Sequence, residues 1–157
     1  MSKTSDHSIL LVCTGNVCRS PMAESLLRAL APSGVSWQIA SAGIAAENGA
    51  SASRNAVDVM AELGADLRPH RSRRLTAELV DRAYIIVGMT HAHKQAIISA
   101  FPVAADKVYL LKSFDVSGRD GDVADPIGGS TDVYRQTRDE IDRALAPLVD
   151  FLKTNLG

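Results

Sequence analysis

Ser8 to Pro21 reads S-I-L-L-V-C-T-G-N-V-C-R-S-P, and its two halves follow different rules. Ser8 to Cys13 is a continuous apolar run, the pattern of a strand buried on both faces of a parallel sheet. After Cys13 the composition switches to Thr, Gly, Asn and Ser. Ser20 suits a helix N-cap, and Pro21 suits the first helical position. The segment therefore reads as strand, tight loop, helix. Between strand and helix lies C-x5-R, from Cys13 to Arg19.

A short loop that curls back between such elements turns consecutive backbone N–H groups inward. The result is an anion cradle, reinforced by the helix dipole. Thr14, Gly15, Asn16, Val17 and Cys18 would form it, with Gly15 and Asn16 tolerating the unusual backbone angles. Arg19 can add a bidentate fork to two phosphate oxygens. Cys13 at the base of a positively polarised loop is placed to act as a thiolate nucleophile. One loop thus offers a nucleophile, a phosphate receptor and charge stabilisation for phosphoryl transfer.

Working outward, strands and helices alternate. Strands are expected at Trp37 to Ala42, Tyr84 to Met89 and Lys107 to Leu111. Helices are expected at Pro21 to Leu30, at Arg54 to Leu63 with Gly64 as its stop, and at Thr90 to Phe101, ended by Pro102. Their apolar stripes are Leu26, Leu27 and Leu30 in the first, Val57, Met60, Ala61 and Leu63 in the second, and Ala96, Ile97, Ala100 and Phe101 in the third. The last stretch carries Tyr134, Thr137, Ile141, Leu145, Leu148 and Leu152 at spacings of three and four, with Pro147 expected to kink or divide the helix. The alternation predicts an α/β fold, with a doubly wound four-stranded parallel sheet between two helical layers. Ligands bind at the carboxyl ends of such strands, where Cys13 stands.

Composition sets the outer bounds. The chain has 157 residues, 46% hydrophobic and 22% charged, with a formal net charge of -1. One domain over residues 1–157 is expected, with the polar residues 1–7 frayed. Near-neutral charge excludes a dedicated nucleic-acid binder, and the hydrophobic content excludes disorder. No run is long enough for a membrane span or a signal-peptide core, so a cytoplasmic location with free thiols is expected. Cys13 and Cys18 are the only cysteines, too close together to staple a fold. They lack a second pair at zinc-ligand spacing, so no metal or other cofactor is expected. Cys18 either traps an oxidised Cys13 as a disulfide or packs as a small core thiol.

A phosphocysteine route needs an acid for the leaving group and then a base for water. Asp125 in D-V-A-D-P-I-G-G-S is the leading candidate. It follows the fourth strand, Pro126 stiffens its backbone, Gly128 and Gly129 turn the chain, and Ser130 caps the final helix. Asp122 and Asp115 remain rivals by spacing. The run Arg68 to Arg74 reads as a solvated loop or as a steering patch for acidic phosphoproteins. His91 and His93 read as solvated helix-start residues.

Four motifs, V-C-T-G-N-V-C-R-S-P-M-A-E near the start, S-A-G at Ser41 to Gly43, H-R-S-R at His70 to Arg73, and D-P at Asp125, together resemble the low-molecular-weight protein tyrosine phosphatases. The resemblance spans almost the whole chain. It implies a phosphotyrosine protein phosphatase I-like fold and a phosphocysteine intermediate without metal. It implies Cys13 as nucleophile, Arg19 as phosphate binder and Asp125 as acid then base. It also implies that Asn16 shapes the loop through Ser41 and His70, and that Ser20 supports the thiolate. A phosphorylated protein would be the substrate, phosphate-like oxyanions would inhibit, and the chain would act as a monomer.

Substrate choice divides the signals. Met89 to Gln95 and Gly121 to Glu140 are similar to the bacterial protein-arginine phosphatase branch. That branch usually carries Thr where Val17 stands and an aromatic where Ile127 stands. Val17 lacks the hydroxyl, which leans toward phosphotyrosine. A-A-E-N around Glu47 offers no ring to wall a phosphotyrosine pocket. Phosphotyrosine is the first reading and phosphoarginine the alternative. Arsenate reduction is disfavoured because no cysteine follows Cys18 to relay a disulfide. A non-catalytic phosphate-binding module would need neither the thiol nor the stiffened Asp125.

Overall fold

A computed structural model describes residues 7–115 and 121–156 of the chain. Residues 1–6 of the stretch expected to fray lie outside the described residues. His7 is within them, and its carbonyl accepts from Gln38 N at 2.7 Å.

Among the described residues, four parallel strands form one sheet in the order β2-β1-β3-β4. They are β1 (Ser8–Cys13), β2 (Gln38–Gly43), β3 (Ile85–Gly88) and β4 (Val108–Leu110). The helices are α1 (Arg19–Leu30), α2 (Arg54–Ala61), α3 (Ala77–Arg82), α4 (His91–Ala100) and α5 (Thr131–Leu156). β1 is central, with Cys13 paired to Gly43 and Val12 to Gly88. Every residue of β1 after Ser8 is buried, as the unbroken apolar run requires.

Alternation along β1 divides the core. Ile9, Leu11 and Cys13 join the cluster that contains residues of α1, α2 and α5. Leu10 and Val12 join the cluster with Val80, Ile97 and Val108 on the opposite face. The sheet is thus covered on both sides, the three-layer arrangement expected from the sequence.

The α5 stripe is confirmed, since Tyr134, Thr137, Ile141, Leu145, Leu148 and Leu152 are all buried. Each aliphatic side chain there contributes about 1.5–3 kcal/mol on leaving water. Pro147 lies inside α5 and does not divide it.

Other local expectations need correction. α1 begins two residues before Pro21, with Cys18 rather than Ser20 as N-cap. Ser20 is drawn inside because its hydroxyl is engaged by Cys13 and Asn16. α2 ends at Ala61 and buries Ala56, Val59 and Met60, whereas Leu63 is exposed. Gly64 closes that end with φ +78°. In α4 the expected stripe holds in part: Ile97 is buried and Phe101 packs against the same cluster, whereas Ala96 is half-buried, Ala100 is exposed and His93 is buried instead. The six-residue α3 was not expected, being too short to display a period. Its Thr76 cap, whose hydroxyl accepts from Leu79 N, marks its start.

Candidate active site

β1 delivers Cys13 to the carboxyl edge of the sheet, and α1 starts six residues later at Arg19. The connecting turn is held from several sides. Asn16 is the only described non-glycine residue with positive φ, at 56°. Gly15, which the sequence suggested for the same purpose, does not use that region. Asn16 is fully buried, and its contacts explain why the conformation holds. Nδ2 donates to Ser20 Oγ and to Ser41 Oγ, both at 2.9 Å. Oδ1 accepts from Arg73 N at 2.9 Å. Its carbonyl lies 2.7 Å from His70 Nε2. A carbonyl can only accept, so Nε2 of His70 carries the proton.

The brace extends further back. Ser41 Oγ donates to Glu24 Oε1 at 2.5 Å, and Glu24 pairs with Arg28. Glu24 closes the first motif but carried no role in the sequence, because a glutamate on an amphipathic helix ordinarily faces solvent. Gly43 was noted only as part of S-A-G. A Cβ there would lie 2.6 Å from Thr14 O and 2.9 Å from Asn16 N. The loop can therefore pack on β2 only over a glycine.

Cys13 is buried, with its Sγ 2.9 Å from Ser20 Oγ. Cys13, Thr14, Gly15, Val17, Cys18, Arg19, Asp125 and Ile127 line a cleft of about 150 Å³. Arg19 is 5% exposed, and its Nη1 donates to Val123 O at 2.9 Å. Its Nη2 stands 3.5 Å from Asp125 Oδ2. Asp125 is half exposed, and its Oδ1 accepts from Ile127 N at 3.0 Å. The rival Asp122 is engaged elsewhere. Its Oδ1 accepts from His91 N at 2.8 Å, and this contact holds its carboxyl below the usual range. Asp115 lies beyond the 3-10 turn of Leu111–Phe114 and is not among the cleft residues. Ser130 Oγ accepts from Val133 N, capping α5 behind the acidic loop.

Cys18 shares the cleft but is tied on its other side. Its Sγ donates to Ser53 Oγ at 3.4 Å and lies 3.3 Å from Tyr134 Oη. Burial pushes the Cys18 thiol up, and burial with the thiol beside it pushes Tyr134 up to about 12. Both cysteines are free. His93 is a plain correction. Expected in solvent, it is 5% exposed, with Nε2 2.8 Å from Thr14 Oγ1. The arginine run is mostly structural: Arg73 Nε donates to Ser41 O, Arg74 Nε to Ala46 O, and Arg68 pairs with Asp66. No described helix is long and apolar enough to cross a membrane.

The chemistry available is that of a buried thiol at the foot of a short strand-to-helix loop, flanked by one guanidinium and one solvent-facing carboxyl. Comparisons with known proteins agree with it. The family model for low molecular weight phosphotyrosine protein phosphatase matches residues 8–156. A protein-arginine-phosphatase of Bacillus subtilis (strain 168) is 46% identical over 146 residues, covering 92% of this chain and 96% of that one. The probable low molecular weight protein-tyrosine-phosphatase EpsP of Ralstonia nicotianae is 41% identical, covering 88% and 90%. Among solved structures, the YwlE arginine phosphatase from Geobacillus stearothermophilus superposes with a TM-score of 0.86 at 45% identity, covering 94% of each chain.

Proposed function

We propose, from the premise that this chain belongs to the low molecular weight phosphotyrosine protein phosphatase family, that it removes phosphate from protein side chains through a phosphocysteine at Cys13. The observation that carries this reading is the convergence of Cys13, Arg19 and Asp125 on one cleft at the carboxyl edge of the sheet. The deprotonated Cys13 Sγ attacks phosphorus, and the S–P bond forms as the bond to the leaving atom breaks. The Asp125 carboxyl gives its proton to that atom. Asp125 then takes a proton from water, the water oxygen attacks phosphorus, and inorganic phosphate leaves with the thiolate restored. Amides of the loop from Thr14 to Cys18 and the Arg19 guanidinium bind the three non-bridging oxygens. Ser20, 2.9 Å from Sγ, stabilises the sulfur in its anionic form. Phosphate, vanadate and similar oxyanions occupy the same cradle and inhibit. The chain acts as a monomer.

Phosphotyrosine is the substrate favoured by Val17, which lines the cleft with two methyl groups and no hydroxyl. The second reading, phosphoarginine, is favoured by the relatives that carry that activity at 46% identity. The two are separated by measuring hydrolysis of matched phosphotyrosine and phosphoarginine peptides by wild type and Val17→Thr. The expected outcome is a preference for phosphotyrosine, with the arginine-to-tyrosine ratio rising in the variant. A wild-type preference for phosphoarginine makes the second reading the correct one. Cys13→Ser, expected to be inactive on both, tests the covalent route itself.

A further inference from the structure

His93 is a buried titratable group beside the cleft that the mechanism does not use. It is the third residue of α4, whose first turn is capped by Thr90 Oγ1 accepting from His93 N at 3.0 Å. That cap directs the side chain back toward the sheet edge. Gly88 makes room for it, since a Cβ there would lie 3.3 Å from His93 Cβ. The ring reaches across to the cradle, with Nε2 2.8 Å from Thr14 Oγ1. Nδ1 is buried without a hydrogen-bond partner.

Burial keeps the ring neutral, and Arg19 adds to the effect against the opposing charges of Asp122 and Asp125, so that the group is pulled down to about 4. A neutral imidazole carries one N–H. Buried N–H groups without partners are rarer than buried acceptors without partners. Nε2 is therefore the protonated nitrogen, and it donates to Thr14 Oγ1. Thr14 then keeps its own hydroxyl proton for another acceptor. Thr14 is exposed at the rim of the cleft, whereas Cys13 is buried at its base. Its side chain therefore meets the part of the substrate beyond the phosphoryl group.

We propose that His93 is a positioning residue: it fixes the Thr14 hydroxyl at the cleft rim as a donor to the substrate side chain or its backbone. The proposal rests on the phosphatase reading above. In it, the oxyanion is held by loop amides and Arg19, while the emerging substrate is guided by a side chain that His93 holds in one orientation.

The test is a double-mutant cycle on the peptide substrate that the wild type prefers, with vanadate inhibition measured in parallel. Thr14→Val and His93→Leu should each lower kcat/KM about tenfold, and the double variant should lose about tenfold rather than a hundredfold. His93→Gln, which retains a donor at similar reach, and Thr14→Ser should recover activity to within about threefold of wild type. The vanadate inhibition constant should stay within about twofold throughout, because the cradle amides are untouched. Additive losses, or vanadate affinity falling in step with kcat/KM, would overturn the proposal in favour of a general structural role. If His93→Leu does not fold, Thr14→Val decides alone, and unchanged kcat/KM in it overturns the proposal. A wild type inert toward both peptide classes overturns the phosphatase reading instead; an active wild type with unmoved variants overturns only the role of His93.

Discussion

The two loops that meet at the cleft are built on opposite principles. The loop from Cys13 to Arg19 is tied down almost atom by atom: Asn16 alone has Ser20, Ser41, Arg73 and His70 as partners. Asn16 and Ser20 are fully buried. The loop from Gly121 to Ser130 is anchored to either side of Asp125, by Val123 N to Met89 O, Arg19 Nη1 to Val123 O, His91 N to Asp122 Oδ1 and Asn55 Nδ2 to Gly129 O. Its working residues face solvent, with Ile127 63% exposed. The difference suits the proposed chemistry. An anion held by amide dipoles needs donors that do not reorganise during the reaction. A general acid that later activates water needs access to solvent and to a leaving group whose identity can differ.

Substitutions on the two sides should therefore fail differently. Asp125→Asn is expected to have the largest kinetic effect, lowering kcat by about 10²–10⁴-fold as a lost general acid does. It should leave the midpoint of denaturation and vanadate affinity near wild type; a variant that unfolds early would break the contrast. Asn16→Ala should instead lose activity, oxyanion affinity and stability together. It forfeits buried hydrogen bonds and a left-handed backbone preference, which together cost about 2–4 kcal/mol. Chemical denaturation and vanadate titration on the same sample would show whether the losses are coupled.

The smallest effect concerns His93, which belongs to the tied side of the cleft. Its folded value lies near 4 against an ordinary 6.5. Between those values the unfolded chain binds a proton that the folded chain refuses. The stability from this group is complete above pH 6.5 and declines as pH falls toward 4. Denaturation midpoints of wild type and His93→Gln, compared across that window, should diverge, with the wild type falling faster. Parallel curves would remove His93 from the pH response.

Local residues were enough to reveal the strand-loop-helix unit, C-x5-R and the α5 stripe, because periodicity and turn chemistry act over a few positions. Gly43, Glu24 and His93 carried no such signal. Each matters through a neighbour 17 to 79 residues away: Ser41 for Glu24, and Thr14 for His93. The choice among Asp115, Asp122 and Asp125 was open for the same reason. Spacing along a loop does not say which carboxyl meets Arg19 and which one accepts from His91 N at the start of α4.

What the chain's own order of residues determined is the sheet, the loop between β1 and α1, and the cysteine proposed as nucleophile. A buried apolar run ending in cysteine, followed by a turn and a helix start, has few other physical solutions. What only the folded molecule decided is how that loop is braced and what faces the substrate. Packing brings β2, the Arg68 to Arg74 run and α4 against one short loop. The same packing takes His93 out of water and gives it Thr14 as its partner, an assignment no period of three or four could contain.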